Sequence, residues 1–335
     1  MTSALALTTI VFVGIALVLL VLLAIRRLVL DRRGRRYAAA VRRLRPIAIL
    51  MVEGEDGERP VLSAGDQAVL AEVLGRYSRQ LTGAADVRVA EYFRGSEALA
   101  QSLHELGSRR MWRRATAAYR LGDMGCEEAA PALLAALDDK QRAVRAAAAR
   151  SLGRLKVVEA AKPLVEALVS GRVPNGVAGQ ALVALGPAAV PELRAIAEHP
   201  SYQLRATAIA LLGLVGDSAD QPLAVRCLGD PSAEVRAAAA DTLTRIGGPS
   251  AEDGLRSALD DRIPFVRTSA AVALGVIGSR AAVPRLLEMA RTDGFRPARA
   301  AAQAVARISP MTLVTAAEEP DAGPHLHEAA DLSAL

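Results

Sequence analysis

Two hydrophobic patterns divide the chain. From Ala4 to Ile25 the sequence ALALTTIVFVGIALVLLVLLAI runs for 22 positions without a charge. A helix of that length rises about 33 Å, close to the roughly 30 Å of bilayer hydrocarbon. Residues 4–25 are therefore expected to form a single transmembrane helix behind a short external N-terminus, residues 1–3. A cleaved signal peptide would have basic residues first, a shorter apolar stretch and a small-residue cleavage site. Here only Met1, Thr2 and Ser3 precede the run, and arginines follow it. A retained anchor fits better. Beyond residue 65 the apolar positions recur at helical spacing instead. Ala68, Val69, Val73, Leu74 and Leu81 mark an amphipathic helix over Gln67–Leu81, and Asp86–Phe93 and Glu97–Leu106 mark two shorter ones.

Residues 46–65 read as a linker, because MVEGEDGERPVLSAG at 51–65 is acidic and carries Gly and Pro. Residues 66–108 form an irregular helical cap or degenerate repeats. From 109 to 308 the helical pattern itself repeats. Arg113–Gly122, Val144–Gly153, Leu204–Gly213, Val235–Thr244 and Val266–Gly275 are copies of one segment, with arginines at 114, 145, 205, 236 and 267. Three of the four intervals are 31 residues; the fourth is 60 and holds a weaker copy, Val177–Gly186. A further 31 lands on Ala298, where Ala298–Ile308 continues the pattern without the arginine. Each unit predicts a first helix, with a leucine seven residues after the arginine, and a second helix opening near Pro131, Pro163, Pro191, Pro222 or Pro284. Glycines 122, 125, 153, 186, 213, 216, 247, 248, 275 and 278 are expected in the turns between helices. One hairpin cannot bury its own apolar faces, but stacked neighbours can. The fold class is all-α, a solenoid of stacked helical hairpins. Residues 309–335, acidic and carrying Pro320 and Pro324, read as a flexible tail with room for a short closing helix.

The segment Val-Arg-x-x-Ala-Ala-x-x-Leu-Gly at 144–153, with close copies from 204, 235 and 266, resembles the HEAT-repeat family. It is similar in particular to the short bacterial repeats also seen in phycocyanobilin lyase subunits. The layout of span and repeats resembles bacterial membrane-anchored HEAT-repeat proteins. The likeness implies a HEAT-like α-solenoid over about 60% of the chain. Asp139, Asp230 and Asp261 stand six residues before Arg145, Arg236 and Arg267. The resemblance implies a structural ladder of Asp–Arg contacts between adjacent repeats, built from these six with Arg114 and Arg205. A phosphate or polyanion site along the ladder is the competing reading.

Composition sharpens this picture. Aromatic residues make up 3% of a chain that is 52% hydrophobic, so the core is aliphatic and rich in alanine, a strong helix former and a poor strand former. The net charge is +5 and the pI about 9.6. Yet Arg26, Arg27, Arg32, Arg33, Arg35, Arg36, Arg42, Arg43 and Arg45, offset by Asp31, put +8 into residues 26–45 and leave −3 for everything after. That distribution argues against nucleic acid as a partner. It marks 26–45 as a cytoplasmic juxtamembrane segment, placing the N-terminus outside and the repeats inside. The same cluster is a candidate contact for anionic lipid headgroups. Half of the ten aromatics, Tyr77, Tyr92, Phe93, Trp112 and Tyr119, fall in or beside the cap.

No catalytic, cofactor or metal set emerges. Cys126 and Cys227 read as buried thiols, and His325 and His327 lack the further ligands of a structural zinc site. The glycines follow no strand and carry no phosphate-loop lysine. The expectation is a non-catalytic scaffold or adaptor at the cytoplasmic face of the bacterial inner membrane, binding membrane-associated protein partners through its repeat surface. Arg150, Arg154, Arg194 and Arg245 are loose candidates on that surface. An accessory subunit of a membrane-associated or lyase-like enzyme and a membrane-tethered polyanion or headgroup binder are the alternatives.

Overall fold

The computed structural model describes residues 2–53, 61–78 and 84–333. Residues 79–81 of the expected helix Gln67–Leu81, and linker residues 54–60, lie outside the described residues. Every regular element among the described residues is helical. The chain divides into two compact units, residues 1–132 and 133–335.

In the first unit α1 runs from Thr2 to Glu53 as one helix. The stretch 46–53 is therefore helical rather than a linker. Packing explains why: Tyr37, Ala40, Val41, Leu44, Ile47 and Ala48 recur every three or four residues down one face, and Leu44 and Ala48 are fully buried. Pro46 removes one intrahelical hydrogen bond, on an exposed side of the helix. α2 (Ala64–Ser78) and α3 (Ala84–Phe93) pack against α1. From α3, Arg88 donates Nε to the Met51 carbonyl at 3.1 Å and Nη2 to the Val52 carbonyl. These are carbonyls that a helix C-terminus leaves without intrahelical partners. α4 (Glu97–Leu106) opens on Ser96, whose Oγ accepts the Leu99 N–H at 3.1 Å, and packs on α5 (Met111–Met124). Leu70, Leu74, Phe93, Leu121 and Met124 fill the core. The apolar side chains of α1 from Leu17 to Leu30 are all exposed. The side chains of residues 4–16 in the expected span lie outside the described residues.

α6 (Ala130–Ala136) leads into the second unit. There the first helices of the repeats are α7 (Arg142–Leu155), α9 (Asn175–Leu185), α11 (Tyr202–Val215), α13 (Ala233–Ile246), α15 (Pro264–Ile277) and α17 (Phe295–Ile308). Each packs on the next. The second helices are α8 (Ala161–Val169), α10 (Val190–Ile196), α12 (Gln221–Cys227), α14 (Glu252–Ala258) and α16 (Val283–Thr292), each entered through a short 3₁₀ turn. Pro191, Pro222 and Pro284 occupy the first turn of their helices, as the sequence predicts. The segment Asn175–Ile196 is the one described stretch long and apolar enough to cross a membrane. It is α9 and α10 of a single repeat, separated by the turn at Gly186–Ala189, and 44% of its window is buried. Neither helix alone, at 11 and 7 residues, is long enough to span.

The tail corrects its expectation. Residues 310–333 form a hairpin of α18 (Pro310–Ala317) and α19 (Gly323–Ser333), with Leu313 and Leu326 fully buried in the same core as Leu286 and Val305. Pro320 lies in the turn between the two helices and Pro324 in the first turn of α19.

The glycines also divide differently from expectation. Gly125, at φ 71°, and Gly278, at φ 80°, are left-handed helix ends, as turn residues should be. Gly122, Gly153, Gly213 and Gly275 lie inside first helices and are buried. A Cβ on Gly153 would sit 2.7 Å from Ala181 Cα, and one on Gly275 would sit 2.9 Å from Ala304 Cα. Both neighbours belong to the following first helix, so these glycines let two backbones approach. Gly153→Ala and Gly275→Ala are each expected to destabilise by roughly 1–3 kcal/mol through overpacking, despite a helix-propensity gain of about 1 kcal/mol. Gly176→Ala, with nothing within 4 Å, is expected to be neutral or slightly stabilising. Thermal midpoints of the three variants check the contrast.

Candidate interaction surface

The repeated arginines form rungs between consecutive repeats. Arg205 donates Nε and Nη2 to the two carboxylate oxygens of Asp230, both at 2.8 Å. Arg236 does the same to Asp261 at 2.6 and 3.0 Å, and Arg267 to Asp293, both at 2.6 Å. The remaining Nη1 of each turns back to a loop carbonyl before its own helix: His199 and Pro200 for Arg205, Asp230 for Arg236, Asp261 for Arg267. Asp230 and Asp261 are each used three ways. Asp230 pairs with the arginine of the preceding repeat, gives its carbonyl to the arginine of its own, and accepts the Ser232 N–H at 2.8 Å. Asp261 repeats the arrangement with the Ile263 N–H. The six side chains of these rungs are between 10% and 17% exposed, so the bidentate pairs are largely shielded from water.

Not every expected member behaves alike. Arg145 reaches the Arg172 carbonyl at 2.6 Å and the Asp139 carbonyl at 2.8 Å rather than a carboxylate. Asp139 accepts the Gln141 N–H. Arg114 is buried and donates to the Ser108 and Arg109 carbonyls. Asp293 escaped the sequence reading, although it follows Arg267 by 26 residues as Asp230 follows Arg205 by 25; its own repeat has Ala298 where the arginine belongs. His199 stands six residues before Arg205, in the acid's place, and its Nδ1 accepts the Ser201 N–H at 3.0 Å.

Partial burial pushes the Asp230 and Asp261 carboxyls up, but hydrogen bonds from their arginines and from backbone N–H groups, with nearby guanidinium charge, outweigh it and hold both below the ordinary value. For Asp293 the hydrogen bond from Arg267 is the main cause of the same lowering. Arg205, Arg236 and Arg267 are each raised, chiefly by the hydrogen bond each donates to its partner acid.

The HEAT-repeat profile matches residues 96–186 and 221–306, more than half of the chain. The chain belongs to the HEAT-repeat family. No curated protein matches it. Among solved structures the HEAT array is similar in fold to human deoxyhypusine hydroxylase in complex with glycerol, at 22% identity over 72% of this chain and 96% of that one, TM-score 0.31. It is similar also to the Escherichia coli protein YibA, at 16% identity over 82% and 98%, TM-score 0.45. The complex of CpcE and CpcF of phycocyanin lyase from Nostoc aligns at 22% identity over 83% and 97%, TM-score 0.28.

The HEAT array brings no reactive cluster together among the described residues. Cys126 is buried and its thiol is pushed up to about 11, first by burial and then by Glu128. Burial likewise raises Cys227; neither is disposed to form a thiolate near neutral pH. His327 Nδ1 lies 2.7 Å from the Gly323 carbonyl, while the His325 ring meets Phe295 edge-on at 4.9 Å. No group of three metal-ligating side chains forms among the described residues. Arg194, a loose surface candidate, is engaged with the buried Asp220 at 2.6 Å. Of the membrane-surface cluster, Arg26, Arg27, Arg32, Arg35, Arg36, Arg42, Arg43 and Arg45 are exposed on α1, and Arg43 meets Asp66 at 2.5 Å; the Arg33 side chain lies outside the described residues.

Arg236→Ala is expected to cost roughly 3–5 kcal/mol, because it strands a shielded carboxylate. The double change Arg236→Met with Asp261→Leu should recover most of that loss, as a urea titration followed by circular dichroism would show. The lowered carboxyls give stability that is complete above the ordinary Asp value of 3.8. It is lost as pH falls through their depressed values. Thermal midpoints of Arg236→Met/Asp261→Leu should therefore fall less steeply below about pH 4 than those of the unsubstituted protein.

Proposed function

We propose that this HEAT-repeat protein is a non-catalytic scaffold or adaptor, held by a single N-terminal span in the bacterial inner membrane with its N-terminus outside and its repeats in the cytoplasm. There it binds membrane-associated protein partners. The observation that carries the reading is α1: exposed apolar side chains from Leu17 to Leu30 and the buried core residues Leu44 and Ala48 belong to one helix. Apolar surface of that extent is costly in water, at about 25 cal/mol per Å², and is covered at no such cost in lipid. Arg26 and Arg27 fall where an emerging helix meets the headgroups, with Arg32 to Arg36 beyond them; anionic lipid is their expected contact. A tethered repeat surface meets other membrane proteins at raised effective concentration.

The polyanion alternative is weakened by the rungs, whose guanidinium donors are taken up by carboxylates and loop carbonyls. The lyase-like alternative rests on a likeness of fold alone.

Two measurements test the proposal together. Full-length protein should remain in the pellet after alkaline carbonate extraction of bacterial membranes, and protease should reach the repeats only from the cytoplasmic side. Crosslinking in intact cells should then recover the same membrane-associated protein reproducibly. Release of the chain by carbonate would sink the anchor, and crosslinks to no protein would sink the scaffold.

A further inference from the structure

The second unit contains only three aromatic residues, Tyr202, Phe265 and Phe295. None of them is core. Tyr202 opens α11, Phe265 is the second residue of α15 and Phe295 opens α17; their exposures are 41%, 48% and 65%. All three therefore stand in the first turn of first helices, beside the loops that hold the rungs. The core of this unit is built from alanine and aliphatic residues; Phe295 touches the His325 ring edge-on yet stays mostly exposed.

Two of them stand on helices whose preceding loops line a cleft. A cavity of about 320 Å³ opens between the loop before α15 and the loop before α17, lined by Asp261, Arg262, Arg267, Arg285, Met289 and Asp293. Phe265 stands two residues from Arg267, and Phe295 two residues from Asp293. Most of the charge in the cleft is already matched. Arg267 holds Asp293, Asp261 is held by Arg236, and Arg285 pairs with Asp260 at 2.8 Å and Glu288 at 3.0 Å. Arg262 and the neighbouring Arg296 are exposed and make no ion pair or hydrogen bond among the described residues, although the Arg262 charge helps to lower Asp261. Aromatic anchors beside free arginines are the composition of interaction hot spots.

We infer that this cleft is the docking site for a partner protein's extended segment that carries carboxylates next to a bulky apolar side chain. The apolar side chain packs between Phe265 and Phe295, and the carboxylates meet Arg262 and Arg296. The inference rests on the scaffold reading and gives it a location and a partner chemistry.

The test uses the full chain in lipid nanodiscs, panned against a displayed library of random dodecapeptides. Enriched sequences are expected to pair Asp or Glu with Phe, Leu or Trp. A synthetic copy of the most enriched should bind Phe265→Ala/Phe295→Ala and Arg262→Glu/Arg296→Glu at least tenfold more weakly than the unsubstituted chain. Thermal midpoints of both variants, measured alongside, separate lost binding from lost folding. Enriched peptides that bind both variants as tightly as the unsubstituted chain, or that are basic, would overturn the inference while leaving a peptide-binding scaffold in place. Failure to enrich any sequence would overturn the inference and the scaffold reading together.

Discussion

The second unit depends on how closely consecutive first helices can approach. Packed helices usually keep their axes about 8–10 Å apart, and side chains at the crossing set the distance. At Gly153 and Gly275 there is no Cβ, and the facing positions, Ala181 and Ala304, carry the smallest one. Alanine elsewhere on these helices keeps the layer thin: Ala147, Ala148, Ala239, Ala240, Ala270 and Ala271 are all buried. The near absence of aromatic residues from this core follows from the same constraint, since a ring at the crossing would force the helices apart. The energy of the unit is consequently spread over many small contacts between neighbours, as expected of a repeat array.

The rungs add direction to that packing. A thin aliphatic layer does not by itself fix one repeat's register on the next, whereas a two-pronged Arg–Asp pair holds both loops in a set orientation. Asp230 and Asp261 each tie three points of backbone and side chain together, so the first turn of one helix and the arginine of the preceding one are held by the same carboxylate. The run from Arg205 to Asp293 is the continuous part of the ladder. The repeat carrying α9 has Ala178 at the arginine's place, and Arg145 meets a carbonyl instead of an acid. The ladder is thus interrupted between α7 and α9.

Helices with a strong 31-residue recurrence were legible in the sequence, because each copy repeats the same apolar spacing. Features set by distant contacts were not. Gly153 and Gly125 look alike in sequence, and only the position of Ala181, 28 residues on, makes the first a close-approach site. The linker expectation weighed the glycines and acids after residue 53 and missed the face of Leu44, Ile47 and Ala48, which carries α1 past Pro46. The tail was judged by its acids and prolines, although Leu313 and Leu326 supply the apolar positions that seat a closing hairpin. The cleft beside Phe265 and Phe295 belongs to two loops about thirty residues apart, and no local pattern joins them.

The central claim is that each repeat is stabilised by its immediate neighbours, through close helix approach and a shared carboxylate. Hydrogen–deuterium exchange on the full chain with Asp261→Asn tests it most directly. The account predicts faster amide exchange in α13 and α15, the two helices this carboxylate joins, with α7 and α8 unchanged. Equal acceleration throughout residues 133–335, or none in α13 and α15, would contradict it.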